Sequence, residues 1–341
     1  MKVWCFTPNP VRERKFVLGS GRVEVLAGGK GRNVARQLRL WGVPAISKVI
    51  DLGSDPGSDP GTGLVPGVGP GTVERGGWAW VREGEERIDF FTEDAKVKAR
   101  VWAEIGNYWR RVLRKGDWWV VAGSSATGWS RGWWKKLIGD LQKKGVTVLV
   151  DSRGALMREA VAAGAEWIKC NLTEAEETTG NKGFERCIRN LTGNGTTGVV
   201  VTLGKEGLVA EVNGCRLSAN APRVKVKDPT GSGDVVTAAL IYGEIRRWAI
   251  ERTLESAVRV GARKAMGKDG LAADVNGSTF SIPAPKVEVK DPTGSGDVVT
   301  AALIYGEIRG WTTDKTLRIA AGVGAWKVSQ GGDVAKVCLR D

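Results

Sequence analysis

From Val97 onward the chain alternates between two periodicities. Apolar residues recur at helical spacing through Trp102, Ile105 and Trp109 to Leu113, and the run Trp118 to Ala122 that follows is apolar throughout, as in a strand buried on both faces. The pair then repeats. A helix is predicted from Ser130 to Lys144, a strand at Val146 to Val150, a helix from Ala155 to Ala163 and a strand at Trp167 to Cys170. Helical segments near Glu174 and Glu185 lead to a further strand at Val199 to Leu203. Repeated β-α units of this length predict an α/β fold with a mainly parallel sheet covered by helices on both faces. The strand ends are polar: Gly123-Ser124, Asp151-Ser152-Arg153, Asn171 and Thr202-Leu203-Gly204. A parallel sheet gathers such residues at its carboxyl edge, where ligands bind.

The first part of the chain follows a different pattern. Lys2 to Thr7 predicts a strand that ends in the turn Pro8-Asn9-Pro10, and Pro44 to Asp51 predicts another. Phe16 to Val25 alternates around Gly19-Ser20-Gly21, and Gly77 to Val81 and Arg87 to Phe91 flank a Glu-Gly turn, so two hairpins are expected. They predict a small sheet beside the main one, a lid built from about 11–27 and 75–93. Between them, residues 53–71 are almost all Gly, Pro, Ser, Asp and small apolar residues and predict a loop.

Two glycine turns open onto helical spacing. In AGGKGRNVARQLRLWG, Gly28, Gly29 and Gly31 surround Lys30, and Val34, Leu38 and Trp41 recur on one face. A lysine there suits a phosphate or a polar sugar, although a plain turn before a helix fits the fragment equally well. The second turn lies in KDPTGSGDVVTAALIYGEIR, which occurs twice, letter for letter, at Lys227–Arg246 and Lys290–Arg309. Each copy sets an aspartate, Asp234 or Asp297, at a helix start. Backbone N–H groups without an intrahelical acceptor and the positive end of the helix dipole favour an anion there, while the aspartate alone also fits a simple cap. The repetition extends outward, since GKEGLVAEVNG at Gly204 matches GKDGLAADVNG at Gly267. Segments of about 204–266 and 267–329 are thus related by an offset of 63 residues. Two copies of this length are not a solenoid; they read as one segment of a domain that has been copied.

Composition then narrows the chemistry. The formal net charge of +13 favours anionic partners such as phosphorylated metabolites or nucleotides. The basic residues are scattered, with no basic run interleaved with stacking aromatics, so no nucleic-acid partner is expected. The chain has no histidine, which excludes a His base, a Ser-His-Asp triad and His-based zinc chemistry. Its five cysteines form no C-x-x-C pair and predict a reducing compartment. No segment is apolar enough for a membrane span or a signal peptide, so a cytoplasmic location with no membrane partner is expected.

Taken together, GGKGRNVA near the N-terminus and DPTGSGD before a helix near the C-terminus resemble the two signatures of the ribokinase-like carbohydrate kinases, the phosphofructokinase-B family. TPNP, AGSS, DSR, KCNLTEAE, VTLGKEG and the closing VGAWKVSQGG fall in the order of its 1-phosphofructokinase and tagatose-6-phosphate kinase branch. The resemblance implies a three-layer α/β/α sandwich with a mainly parallel central sheet and a small β lid, one kinase domain over residues 1–341. It also implies transfer of the ATP γ-phosphoryl group to a hydroxyl of a sugar phosphate. Asp234 or Asp297 matches the general base, and Gly231, Ser232 and Gly233, or Gly294, Ser295 and Gly296, match the anion hole. Gly29, Lys30, Gly31 and Asn33 match the substrate side, and Thr202, Gly204 and Gly207 the nucleotide side. Asn171 and Glu174 match an N-x-x-E motif that acts on Mg²⁺ and phosphate, Glu174 through water; the same spacing is also a capping pattern.

The chain departs from the branch in several places. Val11-Arg12-Glu13 stands where an aspartate usually holds sugar hydroxyls, which makes Glu13 the expected substitute. Arg32 replaces a small residue, Cys170 replaces a proline, and the Arg-x-Asn pattern of the lid is not evident near Arg75-Gly76-Gly77. These departures keep open a degenerate protein that binds a sugar phosphate or nucleotide without turnover, and a homodimer is also left open. Direct continuity with the Val199 to Leu203 strand favours Asp234 as the working base, because closing a short loop is cheaper than skipping a unit. Asp297 stays the alternative, since copy two precedes the family-like terminal helix from Val323 to Gln330.

Overall fold

The computed structural model describes residues 1–17, 22–50, 62–65, 75–81, 88–91, 93–193, 195–224, 226, 229–265, 270–275, 278–283, 299, 302–303 and 309–330. It divides into two compact units, Met1–Met266 and Gly267–Asp341.

In the first unit, β1 (Val3–Thr7) is followed by β2 (Val11–Val17), β3 (Arg22–Gly28), α1 (Lys30–Leu40) and β4 (Ala45–Ile50). The strands β5 (Thr62–Val65), β6 (Arg75–Val81) and β7 (Ile88–Phe91) come next. Regular alternation then sets in with α2 (Ala99–Val112), β8 (Trp118–Ala122), α3 (Trp133–Lys143), β9 (Thr147–Asp151), α4 (Gly154–Ala163) and β10 (Trp167–Asn171). The helices α5 (Leu172–Thr179) and α6 (Phe184–Leu191) precede β11 (Gly198–Thr202), the hairpin β12 (Leu208–Val212) and β13 (Cys215–Ala219), and the pair α7 (Ser232–Ile245) and α8 (Ile250–Ala265).

A nine-stranded sheet carries the unit, in the order β13-β12-β11-β10-β9-β8-β1-β4-β5. Every pairing from β5 to β11 is parallel, and β12 and β13 close one end antiparallel. Alternate residues of the strands feed two separate cores. Phe6, Trp119, Val121, Val148, Ile168 and Val199 pack with α2 to α6 on one face. Val3, Cys5, Val120, Leu149 and Val200 pack with α1, α7 and α8 on the other, which makes three layers. The strand β5 lies inside the stretch read from sequence as a loop. There Thr-Gly-Leu-Val adds to the open edge of β4, in register from Ser47↔Thr62 to Ile50↔Val65, so backbone pairing makes a strand where composition gives little signal. The two expected hairpins combine into one four-stranded sheet, β3-β2-β6-β7, in which β2 and β6 run parallel.

The second unit contains the hairpin β14 (Gly270–Val275) and β15 (Ser278–Pro283) and the helix α9 (Thr313–Gln330). Its pairs Leu271↔Ile282 and Val275↔Ser278 stand 63 residues beyond Leu208↔Ala219 and Val212↔Cys215. The repeated sequence therefore folds into the same hairpin in the same register. Among the described residues, no helix is long and apolar enough to cross a membrane.

Candidate active site

The start of α7 is shaped by its glycines. Gly231 has φ +74°, a left-handed conformation that glycine adopts without a Cβ penalty, and from it the chain turns into the helix. The Val235 N–H donates to the Gly231 carbonyl at 3.0 Å, so the N–H groups of Ser232, Gly233 and Asp234 precede the helical ladder. That of Ser232 is taken by the Pro229 carbonyl at 3.1 Å. Asp234 is 5% exposed, and its Oδ2 accepts a hydrogen bond from Asn33 Nδ2 at 2.7 Å. Burial is the largest influence on this carboxyl and raises its pKa to about 6; Lys30, Asn33 and Lys169 pull it down, and Asp151 pushes it up.

Asn33 reaches Asp234 because α1 begins directly on the end of β1. A Cβ at Gly31 would lie 2.6 Å from Thr7 Oγ1 and 2.9 Å from the Phe6 carbonyl oxygen, and one at Gly29 would lie 2.6 Å from Thr7 Cγ2. Only glycine permits this approach. Lys30, the first residue of α1, turns its Nζ to Asp151 Oδ1 at 3.1 Å and Glu174 Oε1 at 2.9 Å. Burial acts to lower the Lys30 pKa, but Asp151, Glu174 and Asp234 together outweigh it and hold the ammonium above the usual lysine range.

Beneath these groups lies a buried network that sequence reasoning registered only as a polar strand end. Asp151 is 0% exposed; its Oδ2 accepts from Lys169 Nζ at 3.1 Å and from Thr237 Oγ1 at 2.6 Å. Burial works to raise its pKa, while Lys169 and Lys30 prevail and hold the carboxyl below the usual range. The Lys169 ammonium lies 3.0 Å from where a Gly233 side chain would begin, so it rests against the first turn of α7.

Asn171 and Glu174 form a reciprocal capping box on α5: the Glu174 N–H donates to Asn171 Oδ1 at 2.8 Å and the Asn171 N–H to Glu174 Oε2 at 2.9 Å. Thr202 stands beside Asn171 across the β10–β11 pairing. Gly204 (φ +61°) and Gly207 (φ +104°) shape the turn that follows, and a Cβ at Gly207 would lie 2.0 Å from the Ala219 carbonyl oxygen. For Glu13 the backbone alone is described, paired with Leu26 and Gly77. Gly294, Ser295, Gly296 and Asp297 lie outside the described residues. Sequence reasoning missed Asp94, whose Oδ1 accepts from Asn9 Nδ2 at 2.7 Å, with Ser124 Oγ 3.0 Å from the same amide nitrogen. Asn9 Oδ1 is buried without a partner. Asp94 follows β7, which carries no matching motif, and only the fold brings it to the turn after β1. Among the described residues, no group of three acidic or sulfur ligands could enclose a metal ion.

A glycine-bounded helix start on an open α/β sheet is an arrangement that favours binding of an anion. The chain belongs to the pfkB family of carbohydrate kinases, whose model matches residues 75–265 and, a second time, 264–337. It is a carbohydrate kinase with the ribokinase-like fold. A tagatose-6-phosphate kinase of Staphylococcus epidermidis is 23% identical over 276 residues, which cover 77% of this chain and 88% of that protein. Among solved structures, phosphofructokinase-2 from Escherichia coli matches with a TM-score of 0.68 at 20% identity, over 78% of this chain and 94% of that one. A possible 1-phosphofructokinase from Thermotoga maritima matches with a TM-score of 0.65 at 18% identity, over 78% and 93% of the two chains.

Proposed function

We propose that the chain transfers the γ-phosphoryl group of ATP to a hydroxyl of a ketohexose phosphate, with Asp234 as general base. The observation that carries this reading is the buried Asp234 carboxyl at the start of α7, bonded to Asn33 of the other glycine turn. The acceptor O–H bond breaks and its proton passes to Asp234. The oxygen forms a bond to the γ-phosphorus while the bond to the bridging oxygen breaks, and ADP leaves with that electron pair. The Gly231, Ser232 and Gly233 turn and the positive end of α7 stabilise charge on the transferred group, and Lys30 adds a cation beside it. Gly29, Gly31 and Asn33 face the sugar phosphate; Thr202, Gly204 and Gly207 face the nucleotide.

Asn171 and Glu174 at the start of α5 would hold a hydrated Mg²⁺ brought in with the nucleotide phosphates, Glu174 through water. Such an ion supplies charge neutralisation on the phosphates. The similarity to a tagatose-6-phosphate kinase supports a sugar phosphate as acceptor, and the Asn9, Asp94 and Ser124 cluster offers polar groups for its hydroxyls. ATP consumption is to be measured with fructose 1-phosphate, fructose 6-phosphate and tagatose 6-phosphate. Turnover with one of them is expected; binding without turnover of any would support the degenerate, non-catalytic reading instead.

A further inference from the structure

We propose that Asp151 is a positioning residue for phosphoryl transfer: from beneath α7 it holds the Lys169 ammonium group against the Gly233 turn and Lys30 beside Asp234. The inference rests on the kinase reading above. Asp151 is fully buried, so it acts through its partners and not on a substrate. Those partners come from three elements: Lys30 opens α1, Lys169 lies in β10, and Thr237 occupies the second turn of α7. One carboxylate therefore fastens together the two glycine turns of the site. Thr237 has a single hydroxyl proton, and its 2.6 Å approach to Asp151 is shorter than its 3.1 Å distance to the Gly233 carbonyl, so the carboxylate receives it.

Stability alone does not account for this arrangement. A buried ion pair is often no better than apolar packing of the same volume, yet here two ammonium groups are gathered around one closed carboxylate. What the arrangement does achieve is placement. Lys169 adds a fixed positive charge to a helix start where charge accumulates during transfer, and a cation held in place needs no reorganisation when the phosphoryl group moves. Without Asp151 the two ammonium groups repel each other and lose their common anchor.

Among the described residues, the charged groups acting on Asp234 are Lys30 of α1, Asp151 of β9 and Lys169 of β10; Glu174 of α5 pairs with Lys30, and Lys264 of α8 lies near Gly231. Removing the Asp151 charge leaves a more positive surrounding, so the Asp234 carboxylate forms at lower pH. The test compares Asp151→Asn, Thr237→Val, Thr237→Ser and the double variant Asp151→Asn/Lys169→Met with the unaltered chain, by kcat, KM, the pH profile and thermal melting. Asp151→Asn is expected to lower kcat by about ten- to a hundredfold with KM changed by less than about threefold, and to move the acid limb to lower pH. Thr237→Val should lose several-fold in kcat while Thr237→Ser, which keeps the hydroxyl, does not. The double variant removes both members of an ion pair, so its melting temperature should recover while kcat stays low.

A kcat within about twofold of the unaltered chain in Asp151→Asn, or one that recovers together with melting in the double variant, would overturn the proposal. Should Asp151→Asn fail to fold, equal kcat in the two Thr237 variants would overturn it as well. Asp234→Asn serves as the reference. If it abolishes turnover while Asp151→Asn changes nothing, the kinase reading stands and the positioning role falls. If the unaltered chain turns over no sugar phosphate, both fall.

Discussion

Asp234 differs from an ordinary helix-capping carboxylate in its surroundings. An exposed cap stays ionised well below neutrality, whereas burial holds this carboxyl near 6. As the proposed base it must be deprotonated, so kcat/KM should rise tenfold per pH unit below about 6 and level off above it, a limb that a pH–rate profile reads directly. The same shift has a consequence for stability. A carboxyl whose folded pKa is raised binds its proton more tightly when folded, so its contribution is present below the unfolded value and is lost as pH rises through the folded one. Asp234→Asn mimics the protonated form and keeps an acceptor for Asn33. Denaturant unfolding should find it more stable than the unaltered chain by on the order of 2 kcal/mol at pH 8, and equal near pH 3. Equal stability at both values would mean that the charge is not buried as described.

At the scale of elements, the site depends on how closely α1 and α7 approach the sheet. Gly31 lies too near Thr7 and the Phe6 backbone for any side chain. Gly31→Ala should lift α1, cost about 1–3 kcal/mol in a thermal or denaturant melt, and displace Lys30 and Asn33 so that kcat/KM falls with it. Both glycine turns were legible in the sequence, because glycine before helical spacing has a local cause. The parallel strands were legible for the same reason, since apolar runs such as Trp118 to Ala122 need no distant information. The network beneath was not. Lys169 sits in an apolar strand and Thr237 on a helix that is buried almost all round, and their shared partner Asp151 is 18 and 86 residues away. Asp94 meets Asn9 from 85 residues away. The N-x-x-E pair shows how one spacing serves two readings: Asn171 and Glu174 cap their helix, and Glu174 still turns one oxygen to Lys30.

At the scale of the whole molecule, the copied segment sets the remaining question. Both copies form the same hairpin, but β12 and β13 continue the nine-stranded sheet while β14 and β15 make a sheet of their own. The family model likewise matches twice, the second time over 264–337. Identical twenty-residue strings cannot differ in intrinsic chemistry, so placement decides between them. In copy one, Asp234 is bonded to Asn33, and the network of Asp151, Lys169 and Thr237 lies directly beneath its helix. On the proposed function, phosphoryl transfer therefore belongs to copy one. The most direct measurement is kcat of Asp234→Asn and Asp297→Asn, each in the full-length chain, with the sugar phosphate that the unaltered chain turns over. Loss of most turnover in the first and little in the second is the predicted result; the reverse, or equal partial losses, would contradict it.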